Sequence, residues 1–150
     1  MRSFFLSLAI VLVLAVNDRA RAELPQGAIG QIKSLDSSAS IRRNGVATNV
    51  DAGGAVFEGD VIITDLTGAI GITLKDGTVL SLGPESEVEL NRFVFEPQEN
   101  KLGFTANFLR GTATYLSGRI AKLAPEQVSL KTRFSTIGIR GTRVLIKVAK

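Results

Sequence analysis

Apolar and polar residues alternate with a period of two along most of this chain. Ile70, Ile72 and Leu74 share one face of a segment; Val88 and Leu90 alternate with Glu87, Glu89 and Asn91. Val144, Ile146 and Val148 alternate with Arg143, Leu145 and Lys147. Such alternation predicts half-buried β-strands. Val61-Ile-Ile-Thr64 is a continuous run and predicts a strand covered on both faces. Phe93 and Phe95 fall out of phase with Val88 and Leu90, which predicts a bulge near Asn91-Arg92 or a fresh strand. Residues 27–35 are less regular and read as a strand with a bulge. Asn44-Gly45 predicts a two-residue hairpin between residues 39–43 and 46–50. Asp76-Gly77 predicts another, which sets Leu74 opposite Val79 and Thr73 opposite Leu80. Residues 119–127 read as a short helical turn or a loop.

A Gly-Thr step recurs at Gly77, Gly111 and Gly141, with spacings of 34 and 30 residues. Each is followed by an apolar segment. Outside the N-terminus no window keeps a helical period, and 15 Gly and 4 Pro interrupt the chain. The expected fold is all-β: a sandwich or roll of short strands with glycine turns, or, from the Gly-Thr spacing, a β-solenoid-like stack.

The first 22 residues read differently. Arg2 precedes a mostly apolar run at residues 4–16, and Ala20-Arg21-Ala22 offers small residues to a signal peptidase. The pattern predicts a signal helix over residues 1–22 cleaved before Glu23, leaving a β domain at 23–150. The run is shorter than the roughly 17–25 residues of a spanning helix. The alternative is an uncleaved anchor. After cleavage no transmembrane span is expected, and the expected location is the periplasm. The chain has no cysteine, which such a compartment permits.

Removing residues 1–22 changes the charge from +4 to +2, so nucleic acid is not an expected partner. The charge is unevenly spread. Residues 23–100 hold 5 basic and 12 acidic residues, and residues 101–150 hold 10 basic and 1 acidic. Two halves that neutralise each other explain this; so does a basic face for an acidic partner or an anionic lipid or glycan surface. Arg110, Arg119, Arg140 and Arg143 are the expected partner-contact residues. Arg110 and Arg140 each precede a Gly-Thr step, and a solenoid stacks them on one side.

Without His or Cys, Ser-His-Asp and Cys-His catalysis and most zinc sites are excluded. No Gly-x-Ser-x-Gly elbow is present. Glu85, Glu87 and Glu89 share a strand face but no calcium loop surrounds them, so they read as a solvated edge. Asp60 and Asp65 read as turn formers. No catalytic residue, metal site or cofactor is expected.

Several segments taken together resemble the FecR-protein domain, a periplasmic module named for an iron-dicitrate sensor. They are Glu58-Gly-Asp-Val-Ile-Ile-Thr64, the stretch from Gly68 through Asp76-Gly-Thr78 to Leu82, Pro84 with Ser86, Leu109-Arg-Gly-Thr112 and Thr136-Ile-Gly-Ile-Arg-Gly-Thr142. The resemblance spans most of residues 27–148. It implies a β-solenoid-like fold and an extracytoplasmic signalling, binding or assembly role without catalysis. It does not extend to the sensor's sigma-factor-controlling segment or its transporter-contacting domain, so the expectation is an exported, stand-alone module whose partner is another envelope protein. A structural outer-membrane or envelope protein is the alternative, disfavoured by the absence of Trp and a single Tyr for interface girdles. An enzyme acting on glycans lacks a facing carboxylate pair. Residues 144–148 read as an exposed edge strand, open to a homodimer or to strand addition.

Overall fold

The structure, a computed structural model, describes residues 23–149. The expected signal peptide lies outside the described residues. Alternation does produce strands, and nearly all of them belong to longer segments bent near the middle. The first bent segment is β1 (Ala28–Asp36) with β2 (Ala39–Arg43). The second is β3 (Val46–Asn49) with β4 (Ala55–Phe57), and the third is β5 (Val61–Thr64) with β6 (Ala69–Leu74). The fourth is β7 (Val79–Leu82) with β8 (Glu87–Glu96). The fifth is one unbroken strand, β9 (Lys101–Leu116). A short helix, α1 (Arg119–Leu123), leads to β10 (Val128–Thr132), β11 (Thr136–Gly138) and β12 (Arg143–Val148).

Neighbouring segments pair along their whole length, through the bend. One half of the sheet runs β4-β1-β6-β7-β9-β12 and the other β3-β2-β5-β8-β9-β10-β11. β9 serves both halves. Its first part lies between β8 and β10, and its last part between β7 and β12. The result is a curled, almost wholly antiparallel sheet whose halves face each other. Phe104 and Tyr115, from the two arms of β9, stack across the interior with centroids 6.1 Å apart. Ile62, Ile72, Leu80, Leu90, Phe108 and Leu130 fill one continuous core around them.

The bends lie side by side, and short hydroxyl side chains bond the backbone groups that pairing leaves free there. Thr64 donates its hydroxyl to the Gly83 carbonyl at 2.7 Å and accepts the Ser86 amide at 2.8 Å. The Ser86 hydroxyl accepts the Thr112 amide and donates to the Thr112 carbonyl, each at 3.0 Å. Gly111 has φ +86, and a Cβ there would stand 2.5 Å from Ser86 Cα and closer still to its hydroxyl. Only glycine passes through this bend.

The Asn44-Gly45 hairpin forms as expected, with Arg43 opposite Val46 and both turn residues at positive φ. The bulge in β8 falls between Leu90 and Arg92, and β1 carries two irregularities. Residues 119–127 form a helical turn: α1 is followed by a 3₁₀ turn at Pro125–Gln127.

Three expectations change. Thr73 faces Val79 and Ile72 faces Leu80, because the loop has three residues, Lys75-Asp76-Gly77, and Gly77 sits at φ +85. That register puts Ile70, Ile72 and Leu74 on one buried face with Leu80 and Leu82, and leaves Val79 half-buried on the other face with Thr73. β5 is covered fully on only one face, with Ile62 and Thr64 buried and Val61 and Ile63 half-buried. The Gly-Thr steps are not equivalent coils of a stack: one closes a hairpin, one bends β9, and one crosses between β11 and β12. The all-β roll is the arrangement observed.

Gly111→Ala is expected to destabilise the protein by about 2–3 kcal/mol, combining a left-handed φ with a collision. Gly45→Ala, at a similar φ but in open space, is expected to cost about 1 kcal/mol. Urea unfolding of both variants, at unchanged slope, checks the order. Equal losses would contradict the role given to the bend.

Candidate functional site

Away from the bends the two half-sheets part, and the chain crosses the gap between them. Polar side chains hold these crossings. Between β4 and β5, Asp60 is fully buried and accepts two bonds from Arg43, both 2.7 Å, and the Phe57 amide at 2.9 Å. Arg43 in turn lies 4.3 Å over the Phe57 ring. The crossing from β9 to β10 is held by Asp76 of the β6–β7 loop, which is buried, accepts the Thr78 amide at 3.0 Å and hydroxyl at 2.8 Å, and accepts the Ile120 amide at 3.2 Å. It thereby fixes the start of α1. Gly118 is required beside it, since a Cβ would approach the Asp76 carboxylate to 2.6 Å. Between β11 and β12, the Ser117 hydroxyl donates to the Gly141 carbonyl and its amide to the Thr142 carbonyl, both at 2.8 Å.

These bonds occupy the Asp60 and Asp76 carboxylates. Asp65 also forms a turn, as expected: the Ser38 hydroxyl, then the Thr67 amide, hold its carboxyl below the usual range. Glu87 bridges Arg42 at 2.7 Å and Arg110 at 3.5 Å. Glu85, Glu87 and Glu89 are half-buried between β5 and β9 or at the entry to β8, not on a solvated sheet edge. Among the described residues no group of three or more acidic side chains is placed to hold a metal. Tyr115 is buried, and its hydroxyl has no hydrogen-bond partner. Burial raises its pKa; the nearby Ser117 and Thr78 hydroxyls oppose this, and Asp76 adds to it.

The expected arginine row separates. Arg110 is tied to Glu87 beside the bend. Arg143 stands opposite Leu116, whereas Arg110 adjoins Gly111, which stands opposite Val148 at the far end of β12. Five residue rises separate those ends of β12, about 17 Å. Arg119, Arg140 and Arg143 do come to one end, gathered by the Ser117 bonds to Gly141 and Thr142. Arg119 lies 5.1 Å over the Phe95 ring. Arg140 and Arg143 are exposed without a carboxylate partner among the described residues, as are Lys131, Arg133 and Lys147. Among the described residues β12 pairs only with β9 and β11 only with β10, so Arg143 and Lys147 stand on a strand with one free edge, while Lys131 lies on β10, which is paired on both sides. Phe134, 91% exposed, and Leu145, 75% exposed, stand among them. The sequence does not single out Arg133 and Phe134, and Lys131 and Lys147 read there only as solvated strand positions. The unpaired cations after residue 100 were the available signal.

Comparison with family models gives a match over residues 60–150 to the family described as FecR protein. It begins at Asp60, so β1–β4 lie outside it. Comparison with curated proteins gives no match. One solved structure, described as "Cell surface anchoring domain", is 35% identical over 41% of this chain and 83% of its own length, with a TM-score of 0.40.

Asp76→Ala strips acceptors from two buried amides and is expected to destabilise by about 2–3 kcal/mol, with fraying of residues 117–127 seen as faster amide exchange there. Tyr115→Phe is expected to stay within about 1 kcal/mol of the parent at pH 7, because no hydrogen bond is lost. A raised folded-state pKa contributes stability below the unfolded value near 10 that is lost as pH rises. The variant is therefore expected to unfold less readily than the parent above about pH 10. An unchanged alkaline limb would refute the assignment.

Proposed function

Because this chain belongs to the FecR protein family, we propose that it is an exported, non-enzymatic module of the cell envelope that binds another envelope protein, for signalling or assembly. The family match over residues 60–150 carries the reading. The internal chemistry supports it. Asp60, Asp76, Thr64 and Ser86 are spent on holding the fold, and Glu87 is shared by two arginines.

In this reading residues 1–22 direct export and the periplasm is the site of action. The contact surface is the basic end that contains Arg119, Arg140 and Arg143. Arg110 belongs to the ion-paired bend and serves the fold more than a partner. Exposed cations at the rim of an interface chiefly raise the association rate and select acidic partners.

The test is chemical crosslinking of the protein in its native envelope, followed by mass spectrometry. One dominant envelope protein is the expected result, with crosslinks depleted by Arg140→Glu while the unfolding midpoint is unchanged. Recovery of lipid or glycan with no protein would overturn the proposal.

A further inference from the structure

The two halves of the curled sheet are unequal. Six strands form the half that ends at β12, and seven form the half that ends at β11. β10 and β12 occupy equivalent places beside the two arms of β9. β11 therefore stands one strand further out than anything beside β12. A cleft of about 390 Å³ lies there, lined by Thr132, Phe134 and Ile137 of the longer half and Leu145, Ile146 and Val148 of the shorter. One side of the cleft is a strand edge with unpaired backbone groups, which is a template for pairing.

We infer that this vacancy takes an extended segment of a partner protein, added antiparallel or parallel to β12 as the missing strand, with apolar and acidic residues in alternation. The inference rests on the reading of the chain as a binding module and names the form of its partner. Main-chain bonds to β12 supply affinity in this mode, and alternate side chains supply specificity. Val144, Ile146 and Val148 face inward on β12, so inward residues of the guest meet Ile137 and Phe134 and must be apolar. Arg143, Leu145 and Lys147 face outward. Outward residues of the guest lie beside Arg143 and Lys147, two cations without carboxylate partners among the described residues, and must be acidic. The same cations disfavour a second copy of this edge. Two β12 strands side by side would set Arg143 and Lys147 of each against those of the other.

The experiment uses the full chain purified from its native envelope and a fluorescent peptide of alternating Glu and Val. Three controls accompany it: a Lys–Val peptide, a Glu–Val peptide methylated on alternate backbone nitrogens, and phosphatidylglycerol vesicles. The expected result is binding of the Glu–Val peptide alone, with slower amide exchange at residues 143–148 of the bound protein. Arg143→Glu with Lys147→Glu is expected to weaken binding roughly tenfold with the unfolding midpoint unchanged. Equal binding of the methylated peptide would overturn strand addition. Vesicle binding without peptide binding would transfer the surface to lipid, and a concentration-dependent dimer that excludes the peptide would transfer it to a second copy. Either overturns the inference. If crosslinking finds an envelope partner whose contacts avoid residues 131–148, this inference fails and the binding-module reading stands.

Discussion

The structure depends on one line of bends. Each long segment pairs with its neighbour on both sides of its own bend, so a bend in one strand obliges the next to bend at the same level. The spine, β9, crosses that line without a break, and Gly111 lets it through against Ser86. With the bends aligned, the halves face each other and Phe104 can stack on Tyr115. The core is a consequence of that line. Were β9 straight, its two arms would carry Phe104 and Tyr115 away from each other.

A sheet folded in this way is closed on the side of the bends and open on the other. The open side is laced by the crossings that Asp60, Asp76 and Ser117 hold. Asp76 and Ser117 bond backbone groups on the crossing segments, and Asp60 bonds the amide of Phe57, the last residue of β4. This gives the Gly-Asp step at residues 59–60 a structural reason. Glycine turns the chain at φ +87, and the aspartate buries itself against Arg43 and the Phe57 amide. Asp60, Thr64, Asp76 and Ser86, polar residues within the family match, hold the shell.

What could be read in the sequence was local. Asn44-Gly45 states its own turn, and the phase slip from Leu90 to Phe93 states its own bulge. The alternation in residues 143–148 correctly separates the inward from the outward face of β12. Long-range placement was not legible. Asp76-Gly77 looks like a two-residue turn because nothing nearby reveals that the Asp76 carboxylate serves Ile120, forty-four residues away. The three Gly-Thr steps look like one device repeated, yet glycine does a different task in each. The arginines looked like a row because spacing along the chain was taken for spacing in the fold. Glu87, equally distant in sequence, decides where Arg110 belongs.

The parallel pairing of β10 with β9 has a consequence for how the chain assembles. A parallel pair cannot close through a hairpin and needs a crossover, here residues 117–127 anchored on Asp76. The cost of closing such a loop is not special to β10: β1 meets β6 across 33–44 residues and β7 meets β9 across 31–37, so loop closure is spread over the whole sheet. What sets β10 apart is that its crossover rests on the Asp76 anchor, and β11 pairs on β10. β12 instead pairs directly on the last part of the spine. The two sides of the cleft thus reach the spine by separate routes, and loosening the Asp76 anchor loosens the β10–β11 side while leaving β12 on its ladder.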